Sequence, residues 1–264
     1  MSQKKMSILE HIDELRSRLI RVFIVVVALT LFFFLFEIRL YKLGSLLIPY
    51  PFPNFFHSTA AGIIVYLSQQ FLPSYVKIIV TNPSETIVAE LSIALFLSVA
   101  VGMPVIAYEF WAYISPALYA KEKMLIFRLT APAVALFAIG AAFGYIFIVP
   151  FSFDMLYMYA KEIGIVTYIT INEFITFILM FCAAMGITFE LPVIMWGVTK
   201  LGIVKPDNWK KYFSYFVAFS VVYGALITPD GSGITMWFVA IPMIILYGLG
   251  YVFSKKTVIY KGKE

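Results

Sequence analysis

Charged residues are scarce in this sequence. Asp, Glu, Lys and Arg make up 13% of its 264 residues, about half the share of a soluble domain. Cysteine is limited to Cys182, which lies in an apolar run and makes no internal disulfide. The two histidines, His11 and His57, flank a long apolar run that separates them across a membrane. No His/Cys metal spacing, glycine-rich phosphate loop or nucleophile elbow is present, so no catalysis, metal or cofactor is expected, and no nucleic-acid partner. No internal repeat supports an inverted-repeat transporter. The start, M-S-Q-K-K-M-S-I-L-E-H-I-D-E-L, lacks the apolar core and small-residue cleavage site of a removable signal peptide, so the first helix is expected to stay.

What the chain has instead is hydrophobic length, 62% of all residues. Met1 to Arg21 reads as an amphipathic surface helix with Ile8, Ile12, Leu15 and Leu19 on one face, and Leu19 to Phe36 as a first span. Residues 37–83 are too polar and broken to cross lipid. With the proline-rich turn I-P-Y-P-F-P-N and an amphipathic piece from Ser58 to Leu72, they read as a partly helical cap. Asn82-Pro83-Ser84-Glu85 resembles a helix start, with Ser84 as N-cap. Further spans follow at Thr86–Tyr108, Met124–Val149, Glu173–Val198, Tyr212–Ile227 and Ile234–Val252. Pro104 is expected to kink or end the second, and Glu190 with Pro192 to break the fourth. The fifth covers only about 24 Å of a core about 30 Å thick.

The expected fold is thus an all-α integral membrane protein with six transmembrane helices, the last two short. Residues 1–18 are a cytoplasmic helix, 37–83 an extracytoplasmic cap, 109–123 a first cytoplasmic loop, 150–172 a second extracytoplasmic loop and 199–211 a second cytoplasmic loop. Loop charge supports this order, because sixteen Lys and Arg fall on the face holding both termini and four on the other. By the positive-inside rule both termini are cytoplasmic.

Two constellations can carry chemistry. Glu190 sits inside a span, where a charged side chain costs roughly 2.5–3.5 kcal/mol, and Thr188 and Pro192 mark a weakened polar patch beside it. Such an acid faces water, a partner helix or a hydrogen-bonded interior. The second is acid at the cytoplasmic face: Glu10, Asp13, Glu14 and Glu122. Carboxylates suit the planar fork of a guanidinium, so a partner with consecutive arginines fits them. Neutralisation by Arg16, Arg18, Lys121 and Lys123 fits them equally. Between these stretches, Tyr108, Phe110, Trp111 and Tyr113 belong at headgroup depth, and Ser115-Pro116 starts a turn that presents Glu122.

Several segments together resemble the TatC family, the polytopic subunit of the twin-arginine protein translocase. H-I-D-E-L-R-S-R-L (His11–Leu19) is similar to the family's H-x-x-E-L-R-x-R-L, P-V-I-A-Y-E-F-W-A-Y-I-S-P-A-L-Y-A-K-E (Pro104–Glu122) to its first cytoplasmic loop, F-G-Y-I-F-I-V-P (Phe143–Pro150) to the end of its third helix, and T-F-E-L-P-V (Thr188–Val193) to its fourth. The turn before the last helix departs, reading T-P-D where the family has T-P-x-D, and the segment after the first span is longer. The resemblance implies a concave bundle in the cytoplasmic membrane of a prokaryote. It implies binding of twin-arginine signal peptides of folded proteins by Glu14, Arg16, Tyr113, Pro116 and Glu122. It also implies an intramembrane polar site of Glu190, Tyr145 and Thr188 for a partner helix. The implied partners are single-span TatA/TatB-type subunits and further copies in a homo-oligomeric receptor complex, with transport driven by the proton motive force. The rival readings are a proton-coupled small-solute transporter using Glu190 and a purely structural scaffold.

Overall fold

The computed structural model describes residues 8–43, 46–73, 75–114, 123–228 and 233–261. It is mostly helical, and its backbone divides into two compact units, Met1–Ala61 with Ala94–Val134, and Gly62–Ile93 with Ala135–Glu264. Among the described residues five helices are long and apolar enough to cross a membrane, and a sixth apolar helix is shorter.

In the first unit, α1 (Ile8–Leu35) is a single 28-residue helix. The expected surface helix and first span are therefore one rod, since the segment contains no proline or glycine to bend it. It packs antiparallel on the carboxy-terminal half of α3 (Glu85–Ile114): Thr30 Oγ1 donates to Ser98 Oγ at 2.9 Å, and Val25 and Leu29 lie where a Cβ on Gly102 would meet them at 3.8 and 3.6 Å. Pro104 lies inside α3 without ending it, and the helix carries Glu109 to Ile114, which the sequence assigns to the following loop.

Residues beyond α1 first form a hairpin, and the expected amphipathic piece from Ser58 to Leu72 follows it as a helix. β1 (Phe36–Leu43) pairs antiparallel with β2 (Leu46–Pro53). Pro49, Pro51 and Pro53 face Leu40, Ile38 and Phe36. Being two residues apart, the prolines share one phase, and the N–H groups they lack would all point away from β1, so the ladder survives. Glu37 is held by Arg39 at 2.9 Å and by Asn54 Nδ2 at 2.9 Å, which keep its carboxyl below the usual carboxylate range. Then comes α2 (Thr59–Phe71), with Ser58 Oγ accepting from Ala61 N–H at 3.0 Å.

In the second unit, β3 (Val76–Ile79) pairs in parallel with β4 (Thr167–Thr170). Ser84 precedes α3, but its hydroxyl bonds Asn82 Oδ1, and the Glu85 carboxylate reaches back to Thr81 instead. After α4 (Lys123–Phe143) the helix does not stop at Pro150 as the sequence suggests. A π turn at Gly144–Ile148, with Val149 N–H donating to the Gly144 carbonyl, leads directly into α5 (Val149–Ile163). The widened turn stands where the Pro150 ring would otherwise clash with the carbonyl four residues back. The expected 150–172 loop is thus mostly helix α5 and strand β4.

Thr170 and Glu173 form a reciprocal capping box that starts α6 (Ile171–Phe189). Glu190 then separates it from α7 (Leu191–Lys200), where the sequence places the break. A short α8 (Pro206–Lys211) precedes α9 (Phe213–Ile227), whose 15 residues reach only about 22 Å. The last helix is not short. α10 (Thr235–Lys261) has 27 residues, because it runs past its apolar part through Lys255 and Lys256.

Close helix approach in this unit depends on absent side chains. A Cβ on Gly140 would lie 2.5 Å from the Met185 carbonyl oxygen and 2.8 Å from Phe189 Cβ, and one on Gly224 2.5 Å from the Met236 carbonyl. Gly140→Leu is expected to lower stability in detergent by about 1–3 kcal/mol or more, as overpacking does. Gly62→Leu, with nothing within 4 Å, is expected to leave it within about 1 kcal/mol. Equal unfolding midpoints for the two variants would contradict the packing.

Candidate functional site

His11, Glu14, Arg18 and Arg21 recur at spacings of three and four along α1 and so share one stripe. That stripe faces Glu109 of α3. Arg18 donates Nε and Nη2 to Glu14 Oε1 at 3.0 and 2.5 Å and Nη1 to Glu109 Oε2 at 2.8 Å. Arg21 Nη1 holds the other Glu109 oxygen at 2.8 Å. Glu109 is only 6% exposed, so its charge is matched by two guanidinium groups rather than by water. The sequence, which places Glu109 at the start of the first cytoplasmic loop, misses this centre. The legible signal is Arg21, a cation inside an apolar run that needs an acid from a neighbouring span.

The network leaves one acceptor open. Glu14 Oε2 is shut off from solvent and has no hydrogen-bond partner; His11 Nδ1 lies 3.8 Å from it. His11 itself lies flat on Tyr113, with ring centroids 4.5 Å apart and planes 9° apart. The structure therefore brings Glu14 and Tyr113 to one place through His11, and Arg18, one of the four cations considered for neutralisation, holds the other oxygen of Glu14. Arg16 points to the exposed side of α1. Pro116 and Glu122 lie outside the described residues, as does Asp230.

Glu190 caps the end of α6, its N–H donating to the Ile187 carbonyl at 3.1 Å while its own carbonyl accepts from Ile194 at 3.0 Å in α7. Pro192 falls in the first turn of α7, where a missing N–H costs nothing. Glu190 is 8% exposed and its Oε1 has no hydrogen-bond partner. Thr188 is buried beside it, and Tyr223 OH reaches the Ala184 carbonyl one turn earlier at 3.5 Å. Tyr145 is not brought to this group. Gly144 packs on Phe181 and Cys182, which places Tyr145 about 12 Å along α6 from Glu190, with its ring edge against Phe71 at 5.2 Å. Below the break, Trp209 Nε1 donates to Thr199 Oγ1 at 2.9 Å and Tyr247 OH to the Trp209 carbonyl at 2.7 Å, fixing α7, α8 and α10. No cluster of three or more metal-ligating side chains occurs among the described residues.

A family model described as Sec-independent protein translocase protein (TatC) matches residues 10–242. The chain belongs to the TatC family. A Sec-independent protein translocase protein TatC of Cenarchaeum symbiosum (strain A) is 39% identical over 247 residues, 94% of this chain and 94% of that protein. One from Aquifex aeolicus (strain VF5) is 32% identical over 208 residues, 78% of this chain and 85% of that protein. One from Escherichia coli (strain K12) is 29% identical over 256 residues, 97% and 90% respectively. A crystal structure of the twin arginine translocase receptor TatC matches with a TM-score of 0.75 and 29% identity, covering 94% of this chain and 100% of that chain. TatC is a protein translocase component, and membership in it disfavours the small-solute transporter.

Within this TatC chain Glu109 has a measurable role. Glu109→Ala strands the half-buried Arg18 with one carboxylate oxygen and is expected to cost about 3–5 kcal/mol of stability. Arg21→Ala removes an arginine whose side chain is 55% exposed and is expected to cost under about 1 kcal/mol. Unfolding titrations in detergent check the ranking, and the reverse order would contradict it.

Proposed function

We propose that this chain is the subunit of a twin-arginine translocase that binds twin-arginine signal peptides of folded proteins and gathers TatA/TatB-type single-span subunits, with transport driven by the proton motive force. Family membership supports the class, and one observation carries the site: the buried, unpartnered Glu14 Oε2 beside the His11–Tyr113 stack. A guanidinium donating to that oxygen makes a charge-assisted bond in a place where water is already excluded. Tyr113 offers the ring face beside it, on which a second guanidinium can stack. Arg16, Pro116 and Glu122 complete the signal-peptide site in this reading, with Glu122 taking the other arginine.

The accompanying topology is six crossings with both termini in the cytoplasm of a prokaryote. It is supported by the sixteen-to-four division of Lys and Arg and by five long apolar helices plus the shorter α9. On this topology 37–83 lies outside and Glu14 and Glu109 lie at the inner surface. Glu190 and Thr188 are the group that meets a polar residue of a partner helix, with Tyr145 acting separately two turns away. The receptor complex contains several copies of the chain.

Photocrosslinking of a twin-arginine signal peptide to the chain in membranes tests the site. Glu14→Ala and Glu122→Ala are each expected to lower the crosslink at least about tenfold, the worth of one charge-assisted bond. A twin-lysine peptide is expected to fall similarly, because an ammonium lacks the planar fork. Undiminished crosslinking in both variants would remove this site.

A further inference from the structure

The hairpin after α1 has more apolar surface than a two-stranded ribbon keeps in water. Ile38, Ile48, Tyr50 and Phe52 are all exposed, and an isolated hairpin is marginally stable on its own. Its edges offer little backbone at the base for strand addition. The three prolines of β2 present no N–H on one side. On the other, Thr59 Oγ1 donates to the Phe36 carbonyl at 2.8 Å and accepts from Ile38 N–H at 3.2 Å. What the hairpin offers is side chains, not backbone.

The base of the hairpin fixes where those side chains lie. Asn54 N–H donates to the Leu35 carbonyl at 3.0 Å, which brings the returning chain back to the end of α1. Phe55 then packs edge-on against Phe34 at 5.7 Å and 87°, and Phe56 against Phe55 at 5.5 Å and 87°. Phe34 belongs to the last turn of a helix apolar enough to cross the membrane. Phe55 and Phe56 nevertheless remain 53% and 83% exposed. The last turn of α1 has no basic residue, and its sequence, F-F-F-L, has no Trp or Tyr either. The first charges beyond it, Glu37 and Arg39, are tied to each other. The Leu35 end of the helix therefore lacks the aromatic-amphipathic or snorkelling residues that ordinarily hold a span end at its depth.

We propose that the turn Asn54–His57 is a lipid anchor: Phe55 and Phe56 enter the phospholipid acyl region at the Leu35 end of α1 and set the depth of that helix. The occupant of this surface is the bilayer, because the surface is continuous with the flank of a membrane-crossing helix at the level of Phe34. The consequence reaches the far end of α1. Glu14 lies roughly 32 Å along the helix from Leu35, close to the thickness of a hydrocarbon core, so holding one end holds Glu14 at the opposite boundary.

The test uses the full chain with Cys182→Ala and Phe56→Cys, carrying an environment-sensitive fluorophore at that cysteine, in vesicles of phosphatidylcholine and phosphatidylglycerol. Nitroxides on the lipid acyl chains are expected to quench the label several-fold more than aqueous iodide does. Dominant quenching by iodide overturns the proposal. Protection from both quenchers also overturns it, since a protein surface would then cover the turn. In a second chain labelled at Ile12→Cys, replacing Phe55 and Phe56 by serine is expected to shift iodide quenching at the other end of α1. An unchanged Ile12 signal removes the depth-setting role.

Discussion

Lipid does not solvate charge, and the amino-terminal half of this protein is arranged around that fact. Glu109 is buried on α3, in a chain otherwise poor in charge, and two arginines from α1 grip its two oxygens. Removing Glu109 leaves Arg18 with Glu14 alone, and removing Arg18 leaves Glu109 with only the exposed Arg21, which is why the Arg18–Glu109 pair fixes how α1 and α3 meet. Other contacts along that interface, Thr30 with Ser98 and Gly102 with Val25 and Leu29, involve no charge. The same set decides which group is left over. Arg18 is spent on Glu109 and on one oxygen of Glu14, so the other oxygen of Glu14 is buried without a donor next to an aromatic stack.

The other unit answers the same constraint differently. Its helices approach through glycines, at Gly140, Gly144, Gly224 and Gly250, where backbone or a neighbouring side chain occupies the space of a Cβ. Dispersion across such contacts needs no charge. Against this apolar background Glu190 stands out, because it interrupts a helix and has a carboxylate oxygen with no partner inside the chain. Among the described residues, Glu14 and Glu190 thus each hold one buried carboxylate oxygen without a hydrogen-bond partner. One is beside an arginine pair, and the other is at a helix break capped by Pro192.

Much of this was legible in the residues. Long apolar runs gave the spans, the Glu190–Pro192 pair gave the break between α6 and α7, and the length of α9 was read almost to the residue. Three features were not legible. Prolines at 49, 51 and 53 look like a turn, and only the pairing with β1 reveals that all three share an edge where no N–H is needed. Pro150 looks like a stop, and only the π turn before it lets the helix continue. Glu109 looks like a loop residue because its partners lie some ninety residues earlier in the chain, a distance over which no periodicity speaks. For the site, Glu14 and Tyr113 stand out both as residue types at the inner surface and in the family pattern, while His11 opens that pattern with nothing in the sequence to show that it joins the two. Family position groups Tyr145 with Glu190, and helix rise along α6 puts about 12 Å between them.

The account depends on Glu109 and Arg18 acting as one unit. A double-mutant cycle with Glu109→Gln, Arg18→Gln and the pair, followed by unfolding in detergent, measures that directly. The expected coupling is on the order of 1–3 kcal/mol, with the double variant more stable than the sum of the single losses implies. Losses that add to within about 0.5 kcal/mol would mean the two side chains do not hold each other, and the open oxygen of Glu14 would lose its explanation.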